Sequence, residues 1–160
     1  MPKAMHTVFG SLVKNAADKA QRELQNSEIY DVFTQHWIGK KSPLTLLDIS
    51  ETHLEGFAIA DKEQVVCKGA VEWDGQKYDI EAKGNGPLDA FVSALQKTPA
   101  PKFNITSFHE HSIGSGSDTD AMAYIELTFA DGKKFWGCGR SSNVSRAGIN
   151  AVVSAINSVY

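Results

Sequence analysis

Residues 84–95 read Gly84-Asn85-Gly86-Pro87-Leu88-Asp89-Ala90-Phe91-Val92-Ser93-Ala94-Leu95. Proline is well tolerated at the first helical position, because the N–H that it lacks would have no intrahelical partner there. Asp89 suits the positive end of the helix dipole, and apolar residues recur with helical spacing at 88, 91, 92 and 95. The segment therefore predicts a glycine-rich turn that leads into a helix with one apolar face. Free backbone N–H groups at such a helix start can bind a carboxylate or a phosphate.

Two Asp-Gly pairs, Asp74-Gly75 and Asp131-Gly132, reveal a repeat around this segment. Each pair lies between alternating sequences, which is a strong β-hairpin signal in which both turn residues favour positive φ. The pairs are 57 residues apart (131 − 74). The same offset from Gly86 leads to Asn143, a good N-cap residue. A second apolar helix follows, with one face formed by Val144, Ala147, Gly148, Ala151, Val152, Ala155, Ile156 and Val159. The sequence therefore predicts an internal duplication.

The fold class that follows is α+β, with two βββα units at about 42–98 and 102–160 whose helices pack on mainly antiparallel sheets. Period-two alternation predicts the strands 44–49, 65–73, 78–82, 103–111, 121–129 and 133–139, while residues 54–61 fit no single pattern. Two short helices joined near Gln25 are expected in residues 1–41. They cannot bury both faces alone, so they must dock on something else. We expect that natural docking partner to be missing here, which would leave residues 1–40 less firmly held than the rest. Strand residues Trp73, Phe129 and Trp136 are expected to leave apolar surface that a single helix layer does not cover, which favours a homodimer.

Composition limits the classes of function. A chain of 160 residues with a formal net charge of −3 suits one soluble domain and argues against a general nucleic-acid surface. No apolar run is long enough to span a bilayer, and the first residues lack the apolar core of a signal peptide. Cys67 and Cys138 are expected to be reduced and buried in a cytoplasmic protein.

Three segments contain residues typical of metal or nucleotide sites, but a structural role is the better prediction for each. His109-Glu110-His111 places two histidines on one strand face, but a zinc site needs three or four ligands, so we expect a surface or interface strand. Asp118 and Asp120 lack the further oxygen ligands of a calcium loop. Gly84-Asn85-Gly86 lacks the third glycine of a dinucleotide-binding fingerprint. The spacing assigns no nucleophile and base, and the sequence predicts neither a catalytic residue nor a metal site.

Several motifs together resemble the C-terminal regulatory domain of 2-isopropylmalate synthase. They are Gly84-Asn-Gly-Pro-Leu-Asp-Ala-Phe91, Ser117-Asp-Thr-Asp-Ala-Met-Ala-Tyr124, Trp136-Gly-Cys-Gly139 and Ala151-Val-Val-Ser-Ala-Ile-Asn157. The front segments Met1–Gly10 and Ser27–Phe33 resemble the end of that enzyme's helical linker, so the resemblance covers nearly the whole chain. It implies a linker segment at 1–41 and a regulatory domain at 42–160.

The resemblance implies a dimeric sensor that binds an end-product amino acid and mediates feedback inhibition of leucine biosynthesis. Leucine would bind at the dimer interface and inhibit a separate catalytic barrel, an acyltransferase whose divalent metal and acetyl-CoA chemistry have no counterpart in these residues. By residue-to-residue match, the ligand positions would be Asn85, Gly86, Leu88, Ile105, Phe108, Ser112 and Thr119. Gly86 and Asn143 would begin the helices whose N–H groups receive the carboxylate.

Three alternatives stay open at this stage. Citramalate synthase carries a similar domain, so isoleucine rather than leucine is a possible effector. A purely structural module would hold two catalytic chains together and bind no small molecule. A small free-standing enzyme would use His109, His111 or a cysteine. In the regulatory reading, the chain has no acyl-transfer activity of its own and no cofactor, and it interacts with a second copy and with the catalytic domain.

Overall fold

The computed structural model describes residues 1–54 and 64–160. Its helices are α1 (Lys3–Ala20), α2 (Asn26–Phe33), α3 (Pro87–Leu95) and α4 (Val144–Asn157), and a π-helical turn, Thr34–Ile38, continues α2. The strands are β1 (Leu44–Leu54), β2 (Gln64–Trp73), β3 (Gln76–Gly84), β4 (Phe103–Ile113), β5 (Asp120–Phe129) and β6 (Lys134–Ser141). The α+β class and the two βββα units are confirmed. Of residues 54–61, those after Leu54 lie outside the described residues.

Each unit forms its own three-stranded antiparallel sheet, β1-β2-β3 in the first and β4-β5-β6 in the second. The first Asp-Gly turn has the expected geometry, with φ of 50° at Asp74 and 82° at Gly75. The second turn is wider: Gly132 has a φ of 81°, and the Phe129 N–H donates to the Lys133 carbonyl at 2.9 Å. The expectation of two positive φ angles is thus wrong for Asp131, because a longer loop needs only the glycine in that conformation.

Both first strands contain a β-bulge at matching places in the repeat. The register shifts between Leu46 and Asp48 in β1 and between Ile105 and Ser107 in β4. Side chains alternate along a regular strand, so residues three apart would face opposite sides of the sheet. The extra residue in β4 lets Ile105 and Phe108 share the face that packs toward the helices.

Helix α4 lies unusually close to the second sheet because β6 carries glycines where the helix crosses it. A methyl group at Gly137 would lie 2.1 Å from the Ala151 carbonyl oxygen, and one at Gly139 would lie 2.1 Å from that of Ala147. Small residues on both elements therefore allow their backbones to approach. Helix α3 packs on β2 and β3, and a single core joins the two units through Ile80, Phe91, Leu95, Ile125, Leu127, Ile149, Val152 and Ile156.

The N-terminal helices dock on the opposite face of the second sheet. A separate buried cluster joins Met5, Phe33 and Trp37 to the outward side chains Met122, Tyr124, Trp136 and Cys138. The expectation that these helices need a docking surface is confirmed, but the expectation that this surface is missing is wrong, because the second sheet of the same chain supplies it. The second sheet has helices on both faces, rather than on one, because β5 and β6 are apolar on both. Trp136 is buried under these helices, Phe129 is buried in the main core, and Trp73 is partly buried, so the apolar surface expected from Trp136 and Phe129 is not exposed.

Candidate functional site

The start of α3 leaves backbone N–H groups outside the helical hydrogen-bond ladder. The first bond of the ladder runs from Ala90 N to the Gly86 carbonyl at 3.0 Å, so the N–H groups of Leu88 and Asp89 precede it. Gly86 is the N-cap residue and offers no side-chain cap. The Asp89 carboxylate turns back and accepts from the Asn85 N–H at 2.9 Å. One helix start thus presents two N–H donors beside a carboxylate.

The start of α4 is already satisfied by its own residues. The Asn143 side chain accepts from the Arg146 N–H at 3.0 Å, which confirms Asn143 as the N-cap. The Arg146 guanidinium reaches across to β1 and donates to the Ile49 carbonyl at 2.8 Å. Of the two helix starts that the sequence offers for an anion, α3 is therefore the more available.

An apolar surface lies beside the start of α3. A methyl group at Gly148 of α4 would lie 3.7 Å from Leu88 Cδ1 and 3.7 Å from Phe108 Cε2, so these three residues from α3, β4 and α4 meet. Phe108 is 44% exposed and Val144, one helical turn before Gly148, is 52% exposed. We call Leu88, Phe108 and Val144 the open face, and Gly148 lies buried beneath Leu88 and Phe108.

Of the other predicted ligand residues, Ile105 and Asn85 lie near the open face, whereas Ser112 and Thr119 lie farther away. Ile105 is partly buried and packs against the core beneath Phe108, whereas Asn85 is exposed next to Gly86. Ser112 and Thr119 lie together near the end of the β4–β5 hairpin, where Ile113 pairs with Asp120. Ser112 lies four positions after Phe108 along β4, a distance of about 13 Å. A ligand the size of one amino acid at Gly86 and Leu88 therefore does not span to Ser112 within one chain.

The residues that sequence reasoning did not assign to the site are Asp89, Val144 and Gly148. Their signals were present but ambiguous. Asp89 was interpreted as a dipole partner, and the other two as part of the apolar helix face. A glycine inside a helix costs about 1 kcal/mol relative to alanine, which indicates a packing or functional reason for Gly148.

The surroundings of His109, His111, Cys67 and Cys138 indicate structural roles. The exposed residues His109 and His111 lie on the side of the second sheet that faces α1 and α2. His109 Nε2 lies 3.1 Å from Ser107 Oγ, and His111 Nε2 lies 2.9 Å from Tyr124 Oη of β5. Within residues 1–54 and 64–160, no group of three or more His, Cys, Asp or Glu residues is arranged to hold a metal ion. Burial raises the pKa of the Cys67 thiol to about 11 and also raises the pKa of Cys138, which disfavours the reactive thiolate. The part of the chain that the structure describes contains no helix that is both long and apolar enough to cross a membrane.

Comparison with known proteins gives one consistent family. The model for the LeuA allosteric (dimerisation) domain matches residues 23–160. Relatives named 2-isopropylmalate synthase include those of Clostridium acetobutylicum, 33% identical over 98% of this chain, and Schizosaccharomyces pombe, 34% identical over 98%. The relative from Saccharomyces cerevisiae is 33% identical over 99% of this chain. The matched regions are 28%, 27% and 26% of these three relatives, so the chain spans about a quarter of their length.

Proposed function

The chain belongs to the LeuA allosteric (dimerisation) domain family, and on this premise we propose that it binds leucine and dimerises as the regulatory part of a 2-isopropylmalate synthase. Leucine binding would mediate feedback inhibition of leucine biosynthesis. The acyl-transfer reaction and its divalent metal would belong to the portion of the relatives that this chain does not span. For the chain itself, we propose neither a catalytic activity nor a cofactor.

The observation that carries the proposal is the open face beside the free N–H groups of α3. An amino acid brings a carboxylate, an ammonium group and a side chain to its site. The N–H groups of Leu88 and Asp89 suit the carboxylate, and the Asp89 carboxylate, at the same helix start, is an acceptor for the ammonium group. Leu88, Phe108 and Val144 provide an apolar surface for a branched aliphatic side chain, and the buried Gly148 lets Leu88 and Phe108 pack against α4.

Dimerisation would complete this site. Phe108 and Val144 of the open face are about half exposed, and Phe108 meets the Leu88 side chain over Gly148. A second chain that covers the open face would enclose a ligand and would bring Ser112 and Thr119 of one protomer toward the open face of its partner. This arrangement accounts for the distance of about 13 Å between Phe108 and Ser112 within one chain.

We expect the purified chain to sediment as a homodimer at micromolar concentration. Burial of Phe108 and Val144 between protomers supplies the apolar contact that a stable interface needs. A Phe108→Asp variant should shift the equilibrium toward monomer, because it places a charge in that contact. Leu47→Asp, which changes an equally exposed residue on the other unit, is the matched control and should leave the mass unchanged. A monomer mass for the unaltered chain would contradict the proposed assembly.

We expect leucine to bind more tightly than valine by about 10–200-fold, because a missing methylene costs about 1–3 kcal/mol in an apolar pocket. Isoleucine has the volume of leucine but branches at Cβ, so only shape can reject it. Calorimetric titration of the chain with the three amino acids gives this order directly. A preference for isoleucine would move the assignment to the citramalate-synthase type. No binding of any of them by a dimeric chain would leave a purely structural dimerisation module.

A further inference from the structure

Helix α4 extends from the open face to the junction between the N-terminal helices and the first sheet. Near the start of α4, Gly148 lies next to Leu88 and Phe108. Ser154 and Asn157 lie six and nine residues later, which is about 9–14 Å along the helix axis. Both are buried polar residues on a helix that is otherwise apolar at its core positions.

These two side chains hold the segment that connects the π-helical turn to β1. The side chain of Asn157 accepts from the Leu44 N–H at 2.9 Å and donates to the Leu44 carbonyl at 2.8 Å. Ser154 Oγ donates to the Trp37 carbonyl at 2.5 Å and accepts from the Cys138 N–H at 3.1 Å. Asn157 is completely buried, so water cannot replace its hydrogen bonds to Leu44. Breaking these hydrogen bonds would therefore leave buried polar groups without partners, which is costly.

Trp37 links this segment to the docked helices. It is 1% exposed, and its indole N–H donates to the Trp136 carbonyl at 2.9 Å. Its ring centroid lies 5.4 Å from that of Phe33 in α2 and 5.9 Å from that of Phe9 in α1. The hydrogen bonds of Ser154 and Asn157 therefore act on the residues that anchor both N-terminal helices.

We propose that Ser154 and Asn157 are positioning residues through which α4 ties occupancy of the open face to the docking of α1 and α2 on the second sheet. The inference rests on the proposed leucine site. The backbone of α4 lies directly against Gly137 and Gly139, with no side chains between them that could absorb a local shift, so we treat the helix as one rigid unit. A ligand that holds Leu88 and Phe108 against α4 at the buried Gly148 therefore also restrains the Trp37–Leu44 segment. Two sites joined in this way share a coupling free energy.

The test is hydrogen exchange of the 160-residue chain with and without saturating leucine, with calorimetry on the same samples. In the unaltered chain, leucine should slow amide exchange in residues 29–38 by about fivefold or more. Ser154→Ala should reduce that slowing to less than about twofold while leucine still binds, because the substituted hydroxyl does not touch the open face. Ser154→Cys, which nearly keeps the size of the side chain but has only a weak S–H donor and a weak acceptor, should also lose most of the effect and serves if Ser154→Ala does not fold.

The matched control is Asn150→Ala on the same helix. Among the described residues its side-chain amide donates to the Arg140 carbonyl at 3.4 Å and makes no hydrogen bond to residues 37–44, so the slowing should stay as in the unaltered chain. Leucine binding without slower exchange at 29–38 would overturn the coupling alone. Full slowing in a folded Ser154→Ala protein would overturn the role of Ser154. Absence of leucine binding to the unaltered chain would overturn the proposed function and this inference with it.

Discussion

A Gly137→Ala variant should lose about 3 kcal/mol or more of its free energy of unfolding. The new methyl group would lie 2.1 Å from the Ala151 carbonyl oxygen and 2.2 Å from the Ala155 N. Both are backbone atoms of α4, so no side chain can rotate to make room, and the whole helix must move off the sheet. Overpacking of this kind typically costs 1–3 kcal/mol and more where the backbone is displaced.

Urea denaturation followed by circular dichroism measures this loss, at one protein concentration because a dimer's stability depends on it. Gly148→Ala is the matched control, since its methyl group would make ordinary 3.7 Å contacts with Leu88 and Phe108. An alanine in a helix interior is favoured over glycine by about 0.5–1 kcal/mol, so this variant should be at least as stable as the unaltered chain. A Gly137→Ala protein within 1 kcal/mol of the unaltered chain would contradict the close packing of α4 on β6.

A Gly86→Val variant should fold normally and bind leucine about 10–100-fold more weakly. The side chain would stand at the N-cap of α3, where the ligand carboxylate meets the free N–H groups, and hydrogen bonds to a charged group contribute about 1.5–3 kcal/mol. Gly86 has a φ of −163°, an extended conformation that valine adopts readily, and a methyl group there meets no atom within 4 Å. The substitution therefore tests the ligand site without straining the backbone.

Calorimetric titration with leucine measures the affinity, and the melting temperature of the free protein shows that the fold is intact. Gly10→Val makes the same change at an exposed position of α1 where a methyl group also meets no atom within 4 Å. It should leave the affinity as in the unaltered chain. Unchanged leucine affinity in a folded Gly86→Val protein would remove the start of α3 from the proposed site.

Local signals were enough to predict the repeat and most of its elements. Asp-Gly pairs, Pro87 and Asn143 restrict the backbone within four residues of themselves, and helical or alternating spacing of apolar residues then gives each element its type. The observed α3 and α4 begin where Pro87 and Asn143 predict. These features depend on steric effects and hydrogen bonds between residues that are close in the chain, so they can be predicted from a short stretch of sequence.

The candidate site was only partly predictable for a physical reason that β4 illustrates. Strict alternation predicts that Ile105 and Phe108 lie on opposite faces of β4. A β-bulge puts them on the same face, and no glycine, proline or other turn residue in the strand indicates that bulge. Leu88 and Phe108 were predicted only through the family resemblance. Gly148 joins them through packing between α3, β4 and α4, which no single segment encodes.

The sequence by itself determined the duplicated βββα order, the two hairpins and the two helix starts, because each follows from interactions between near neighbours in the chain. Only the tertiary structure decided where α1 and α2 dock and what the polar residues of α4 do. Trp37 bonds Trp136 across 99 residues, and Asn157 bonds Leu44 across 113. Such contacts depend on which apolar faces remain uncovered after both sheets have formed, and that is a property of the assembled fold rather than of any one segment.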